Sequence, residues 1–369
     1  MIHPFPKMSA CADNGGNVAD AWMVYGAYGY TGRLILKKAI AAGLKPLVAG
    51  RDPDRTAALA LEFGLRHRSF DLADVQALRR GLDGMRAVLH CAGPFSATAA
   101  PMITACLQVG THYLDITGEI DVFAFAHAND SAARKHGIAL VPGVGFDVVP
   151  TDCLAALLKR DLPDATELTL AFDAEGGPSR GTALTSIEGL GKGGRVRRDG
   201  HMLTVPLGYK KREFAFPRGN RQTVTIPWGD VYTAFVSTGI PNIEVYMALP
   251  PRAIQGLRRL RWLAPLLSLP PVQWLLKRRI EAQIQGPSES RRGESHAYIY
   301  GEVRNPRGEV RAATLSTPNG YDLTAEAALR ITRYVLDDQG PHAGFYTPSL
   351  LMGADFVKQL SGVRYVRVR

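Results

Sequence analysis

Between residues 22 and about 150, short apolar runs alternate with longer stretches in which apolar positions recur every three or four residues. The runs predict strands over 22–26, 45–49, 66–70, 86–91, 111–115 and 138–142. The periodic stretches predict helices starting near Thr31, Pro53, Leu72, Ala97 and Glu119. Strand–helix alternation of this kind predicts a parallel, doubly wound sheet, with ligands beyond the carboxyl ends of its strands. The unusual residues gather at those ends: Cys91-Ala92-Gly93-Pro94-Phe95, Asp115-Ile116-Thr117-Gly118-Glu119 and Pro142-Gly143-Val144-Gly145-Phe146-Asp147.

After about residue 164 the texture changes. Alternating segments over 166–173, 201–207, 212–216, 222–227, 231–238, 243–249, 296–303 and 309–316 predict a largely antiparallel sheet, and hence a second, α+β domain. Small residues at 181–186 predict a helix lying close to a neighbour, and 323–336 an amphipathic one. A last helix opens near Tyr346, and 363–368 reads as a short strand or a tail. The expected organisation is a flexible tail over 1–20, a first domain over 21–160, a second over 161–320, and helices over 321–369 that return to the first. Residues 1–20 are small and polar and lack the apolar core of a signal peptide.

The junction of the first strand and helix carries the most specific chemistry. Gly26, Gly29 and Gly32 stand at G-x-x-G-x-x-G spacing in Gly26-Ala27-Tyr28-Gly29-Tyr30-Thr31-Gly32. Gly26 allows a sharp turn off the strand, Gly29 admits a pyrophosphate, and Gly32 allows close helix–sheet packing. The first domain is therefore read as a Rossmann domain whose helix N-terminus faces the phosphates. About twenty residues on, where a free ribose hydroxyl would meet Asp or Glu, the chain has Ala49-Gly50-Arg51. A guanidinium suits a 2′-phosphate, so the predicted cofactor is NADP(H) rather than NAD(H), with Asp52 nearby as a competing signal. Asp71 is placed near the adenine or at a helix cap. Cys91, Ala92, Gly93 and Pro94 form a turn along the nicotinamide half, and Tyr28 and Tyr30 are placed to close on that ring.

Charge and composition narrow the partners. A formal net charge of +10 over 369 residues favours anionic ones: a phosphorylated cofactor, an anionic substrate or carrier, or a membrane surface. No basic–aromatic nucleic-acid motif is present, so nucleic acid ranks last. Cys11, Cys91, Cys106 and Cys153 have no metal spacing and read as reduced thiols; no metal is expected, and the location expected is cytoplasmic. No apolar run reaches the roughly 20 residues that span a bilayer. Residues 251–285 interleave Trp262, Trp274 and many leucines with Arg252, Arg258, Arg259, Arg261, Lys277, Arg278 and Arg279, broken at Pro265 and Pro270-Pro271. Such a segment can pack internally, cap a hydrophobic substrate cavity, meet a second subunit or lie on an anionic membrane.

A reductase would need a proton donor beside the hydride acceptor. The candidates at the strand ends are Asp147 first, then Tyr113 and Glu119, with Asp115 among them. Each has a structural alternative: Asp147 and Glu119 as helix caps, Tyr113 as core.

Taken together, the glycine turn, Ala49-Gly50-Arg51, Cys91–Phe95, Gly110–Glu119, Gly145–Asp152, Gly181-Thr182 and Thr347-Pro348-Ser349 resemble the saccharopine dehydrogenase-like oxidoreductases, and within them the trans-acting enoyl reductases. The resemblance implies an NADP(H)-binding domain and a mixed-sheet domain that often forms a homodimer surface. Three positions depart from the pattern: Gly143-Val144 replaces His/Ala-Cys, and Val148 replaces a serine. The expected activity is NADP(H)-dependent reduction of an enoyl or other unsaturated, lipophilic or carrier-bound substrate. The alternatives are imine reduction in a saccharopine-type reductive amination, with Arg180, Arg195, Arg197 and Arg198 binding carboxylates, and a lipid-associated cofactor-binding protein without turnover.

Overall fold

A computed structural model describes residues 21–369 except 176, 268, 284–285, 338–339 and 341. The tail expected over 1–20 lies outside the described residues. Sixteen strands are present among them: β1 Trp22–Tyr25, β2 Leu47–Gly50, β3 His67–Ser69, β4 Ala87–His90, β5 His112–Asp115, β6 Ala139–Val141, β7 Glu167–Ala174, β8 Gly194–Arg198, β9 His201–Val205, β10 Lys211–Phe216, β11 Gly219–Thr225, β12 Asn242–Ala248, β13 His296–Arg304, β14 Val310–Pro318, β15 Gly344–Phe345 and β16 Arg364–Arg367.

Seven of them form a parallel sheet in the order β15-β6-β5-β4-β1-β2-β3. Strands β1, β2, β4 and β6 are buried at every position, which is why they read as unbroken apolar runs rather than alternating ones. The order reverses between β1 and β4, the α/β switch point. The second sheet runs β10-β11-β12-β7-β13-β14-β16, with the β8–β9 hairpin attached to β12. Only its β7–β12 pair is parallel among the described residues. A Rossmann sheet joined to a largely antiparallel second sheet is the fold class read from the pattern.

The two sheets share one core. The helix Val149–Asp161 is buried over most of its length, and its Leu154 and Leu158 lie so close to β13 that a Cβ at Gly301 would come within 2.8 Å of both. The helix Gly320–Leu336 packs back on the helix Tyr30–Ala41, where Lys38 pairs with Glu326 at 3.5 Å. Two structural links run between the segments that flank this core: the Ser349 amide donates to Asp152 Oδ2 at 2.8 Å, and the Phe146 amide to Thr324 Oγ1 at 2.9 Å.

Three elements differ from the pattern reading. Residues 231–238, read as a strand, belong to the helix Asp230–Thr238. β-branched and aromatic content suggested the strand, but Val231 and Ala234 are buried at helical spacing and Gly239 closes the helix at φ +69°. β8 was not foreseen; it pairs with β9 through Asp199-Gly200, both at positive φ, a compact hairpin turn. The two-residue β15 was also missed, because it is too short to show a period. Its Phe345 amide donates to Asp130 Oδ1 at 2.7 Å and helps seat it beside β6.

At the end of β5, Asp115 is fully buried and accepts from Tyr113 Oη at 2.6 Å, the Thr117 amide at 2.9 Å and the Gly143 amide at 2.8 Å. It ties the β5 and β6 exits together. Asp115→Ala leaves three donors unsatisfied and costs roughly 3 kcal/mol or more, whereas Asp115→Asn keeps an acceptor and costs less. Urea unfolding followed by circular dichroism checks this; equal loss in both variants contradicts it.

Candidate functional site

The helix Tyr30–Ala41 begins with its first amides open. Among the described residues, the helices Pro53–Phe63, Val75–Leu82, Arg180–Leu190 and Gly320–Leu336 begin under side-chain caps from Asp52, Asp74, Ser179 and Asn319. The helix after the glycines has Gly29 at its N-cap, no side-chain cap and no acidic residue in its first turn. Its first intrahelical bond is Arg33 N–H to Gly29 O at 3.0 Å, so the Tyr30, Thr31 and Gly32 amides precede the ladder. Those donors and the helix dipole favour an anion.

Close packing fixes the turn beneath them. Gly26 has φ +78°, and a Cβ there would lie 2.7 Å from the Ala92 backbone nitrogen. The exits of β1 and β4 therefore touch at the switch point. A Cβ on Gly32 would come within 2.8 Å of Ala27 and Gly26. The site thus divides into an adenosine half over β2 and β3 and a nicotinamide half over β4 to β6.

On the adenosine half, Arg51 is exposed directly after β2. Asp52 is occupied as the cap of Pro53–Phe63, accepting from the Arg55 amide at 3.1 Å. That use commits one of its two oxygens to the helix start. The Arg55 guanidinium, which the sequence did not single out, lies 4.3 Å from the centre of the Tyr28 ring. Tyr28 also occupies the space over Gly50, where any Cβ would collide with its ring. Tyr28 therefore lies on the adenosine half and not against the nicotinamide, a correction caused by the missing side chain at Gly50. Asp71 is exposed and accepts from the Ala73 amide at 2.9 Å, while Asp74 caps the helix that follows.

On the nicotinamide half, Cys91 is bonded through its amide to Tyr25 O at 2.8 Å, and burial pushes its thiol up, so it is held neutral. Ala92 O accepts from Thr98 at 2.6 Å, and Gly93 and Pro94 lead into the helix Phe95–Val109. Tyr30 does not close on the nicotinamide. Its hydroxyl donates to Pro287 O at 2.8 Å and its ring meets the Tyr321 edge at 4.9 Å, so it fastens the turn to the second sheet's side of the cleft.

The three candidate acids separate cleanly. Tyr113 is fully buried and donates to Asp115, so it is core and cannot face a substrate. Glu119 accepts from the Phe95 amide at 2.9 Å and the Ser96 amide at 2.7 Å, which makes it the cap of Phe95–Val109 supplied from another loop. Burial raises its carboxyl, and those two amides oppose the rise. Asp147 caps nothing: the helix Val149–Asp161 has no side-chain cap. Its carboxylate lies against Gly118, where a Cβ would be 3.0 Å from Oδ2. Burial, with the nearby Glu119 charge, pushes its carboxyl up to about 7. The sequence missed two neighbours. Trp228 Nε1 donates to Asp147 O at 2.7 Å, and burial, with the Asp147 charge nearby, raises the Tyr321 hydroxyl. Trp228 packs on the buried Phe172 at 4.8 Å. Among the described residues no group of three or more His, Cys, Asp or Glu side chains gathers as a metal site.

The family model of the saccharopine dehydrogenase NADP binding domain matches residues 22–141, from β1 to the end of β6. The match takes in the strands of the parallel sheet from β1 to β6 and leaves the second sheet outside it. This NADP-binding domain accounts for the open helix N-terminus and for the guanidiniums beyond β2. The chain is 28% identical over 204 residues to the saccharopine dehydrogenase-like oxidoreductase of Mus musculus, covering 48% of this chain and 47% of that protein. It is 29% identical over 159 residues to a trans-acting enoyl reductase of Mycobacterium bovis, covering 39% of this chain and 37% of that protein. The matches thus span less than half of those relatives' lengths. Apo saccharopine dehydrogenase (L-Glu forming) from Saccharomyces cerevisiae shares the fold at a TM-score of 0.64 and 14% identity, over 95% of this chain and 100% of that one.

Arg51→Ala should weaken NADPH binding and leave NADH binding nearly unchanged. The lost charge-assisted contact is worth about 1.5–3 kcal/mol, roughly ten- to a hundredfold in affinity. Fluorescence titration with both coenzymes checks this; equal loss for the two would contradict the 2′-phosphate assignment.

Proposed function

We propose that this protein is an NADP(H)-dependent reductase acting on the C=C bond of an enoyl-type or otherwise unsaturated lipophilic substrate. The observation that carries the reading is Asp147: a half-buried carboxyl beyond β6, free of any capping duty and protonated up to about pH 7. NADPH supplies a hydride when bound. The amides of Tyr30, Thr31 and Gly32 would hold its pyrophosphate, with Arg51 and Arg55 at the 2′-phosphate. Asp147 holds a proton at Oδ2 or Oδ1 for delivery to the carbon beside the hydride acceptor. Its neighbour Glu119, already bound to two amides, adds a charge that keeps that proton in place.

The surroundings favour an apolar substrate over a polycarboxylate. Trp228, half-buried and packed on the core residue Phe172, lies beside Asp147's loop. Of the four arginines read as carboxylate ligands for an imine, Arg197 and Arg198 are engaged elsewhere. Arg197 is buried, donates to Val231 O at 2.9 Å and lies over Phe235 at 4.0 Å, and Arg198 pairs with Glu244. The trans-acting enoyl reductase name of one relative points the same way.

Asp147→Asn should lower turnover about a hundredfold or more while NADPH binding stays unchanged. The pH dependence has a definite sign. A proton donor is active while protonated, so kcat/KM in the parent falls as pH rises through about 7, and this limb disappears in Asp147→Asn. NADPH oxidation with an α,β-unsaturated thioester across pH checks both. Full activity in the variant, or a rate that rises through pH 7, would contradict the assignment.

A further inference from the structure

The helices over residues 251–283 place an apolar and cationic surface in open solvent. The helix Pro251–Leu260 buries only Ile254 among its residues. Beyond it, Trp262 is 76% exposed, Leu266 51%, Trp274 60% and Leu275 60%. Scattered exposed leucines need no explanation, but two exposed tryptophans on one run of short helices, each next to an exposed leucine in the chain, do. Each tryptophan carries a guanidinium over its ring: Arg261 at 4.9 Å from Trp262 and Arg278 at 5.3 Å from Trp274.

The charge of this segment is one-sided. It holds six arginines and one lysine, and Glu281 is its only acidic residue. Below Trp262, a shallow pocket of about 290 Å³ is bordered by Lys211, Arg258, Arg259 and Arg261. Lys277 is drawn inward, pairing with Glu188.

We propose that this surface docks on an anionic lipid bilayer, with Trp262, Leu266, Trp274 and Leu275 entering the headgroup region and the arginines meeting lipid phosphates. Tryptophan suits the membrane–water boundary because its ring is apolar and its N–H polar, and flanking cations add attraction to anionic headgroups. A second copy of the chain fits less well. A two-fold interface would bring this patch against itself, cation to cation. No helix among the described residues is long and apolar enough to cross a membrane, so docking is at the surface.

The docking face also adjoins the cleft. From the helix Pro270–Gln283, Gln273 donates to Ile187 O at 3.1 Å and Lys277 pairs with Glu188. Glu188 accepts from Ser96 Oγ at 2.9 Å, beside the amide that Glu119 caps. A lipophilic substrate leaving the bilayer would therefore reach the cleft without crossing much water. That last step rests on the proposed reductase activity; docking itself does not.

Co-sedimentation of the full chain with vesicles tests the docking apart from turnover. The protein should pellet with phosphatidylcholine vesicles containing phosphatidylglycerol, not with phosphatidylcholine alone, and salt should release it. The Trp262→Ala/Trp274→Ala and Arg258→Glu/Arg259→Glu variants should each lose on the order of tenfold in partitioning. Both should retain the parent's thermal melt and NADPH affinity, which separates lost docking from lost folding. Equal pelleting of parent and variants, or no pelleting with anionic vesicles, would overturn the proposal. So would light scattering that shows a dimer dissolved by the tryptophan variant in a protein that binds no vesicle.

Discussion

A helix that starts without a cap leaves amide hydrogens in need of an acceptor, and the rest of this site depends on one such helix. The fold caps some helix starts, with Asp52, Asp74, Ser179 and Asn319, and leaves the Tyr30, Thr31 and Gly32 amides open to an outside anion. The contact of Gly26 with Ala92 fixes where that anion must sit, because it locks the β1 exit against the β4 exit at the switch point. Arg51 and Arg55 fall on one side of it, and Glu119 and Asp147 on the other.

Three carboxylates stand within one stretch of loops on the nicotinamide half, and the structure assigns them different work. Asp115 spends its oxygens on Tyr113, Thr117 and Gly143 and holds the loops in register. Glu119 spends its pair on the start of Phe95–Val109. Only Asp147 is left without a capping partner, and burial keeps it protonated near neutral pH. Neighbouring carboxyls with different environments are a recurrent way to hold one proton ready while another group stays committed to structure.

Much of the fold was legible because its cause is local. Strands buried on both faces show as apolar runs, and the glycines mark the turn that only they can make. What was not legible depended on contacts distant in sequence. The helix Asp230–Thr238 read as a strand because its residue types favour one, and its true period shows only in which positions are buried. The orientation of Tyr28 follows from the absence of a side chain at Gly50, 22 positions on, and that of Tyr30 from Pro287 and Tyr321. Glu119 looked like an acid beside a helix of its own, whereas it caps a helix that begins 24 residues earlier. Trp228 and Tyr321 carry no motif at all; their importance appears only once the second sheet closes over Asp147.

The central claim is that the Gly26–Gly32 turn grips a dinucleotide and that the guanidiniums beyond β2 select the phosphorylated form. Calorimetric titration of the purified full chain with NADPH, NADP+ and NADH tests it most directly. The account predicts saturable binding at one site per chain, with NADPH and NADP+ at least tenfold tighter than NADH. Failure of all three to bind, or equal affinity for NADPH and NADH, would contradict it.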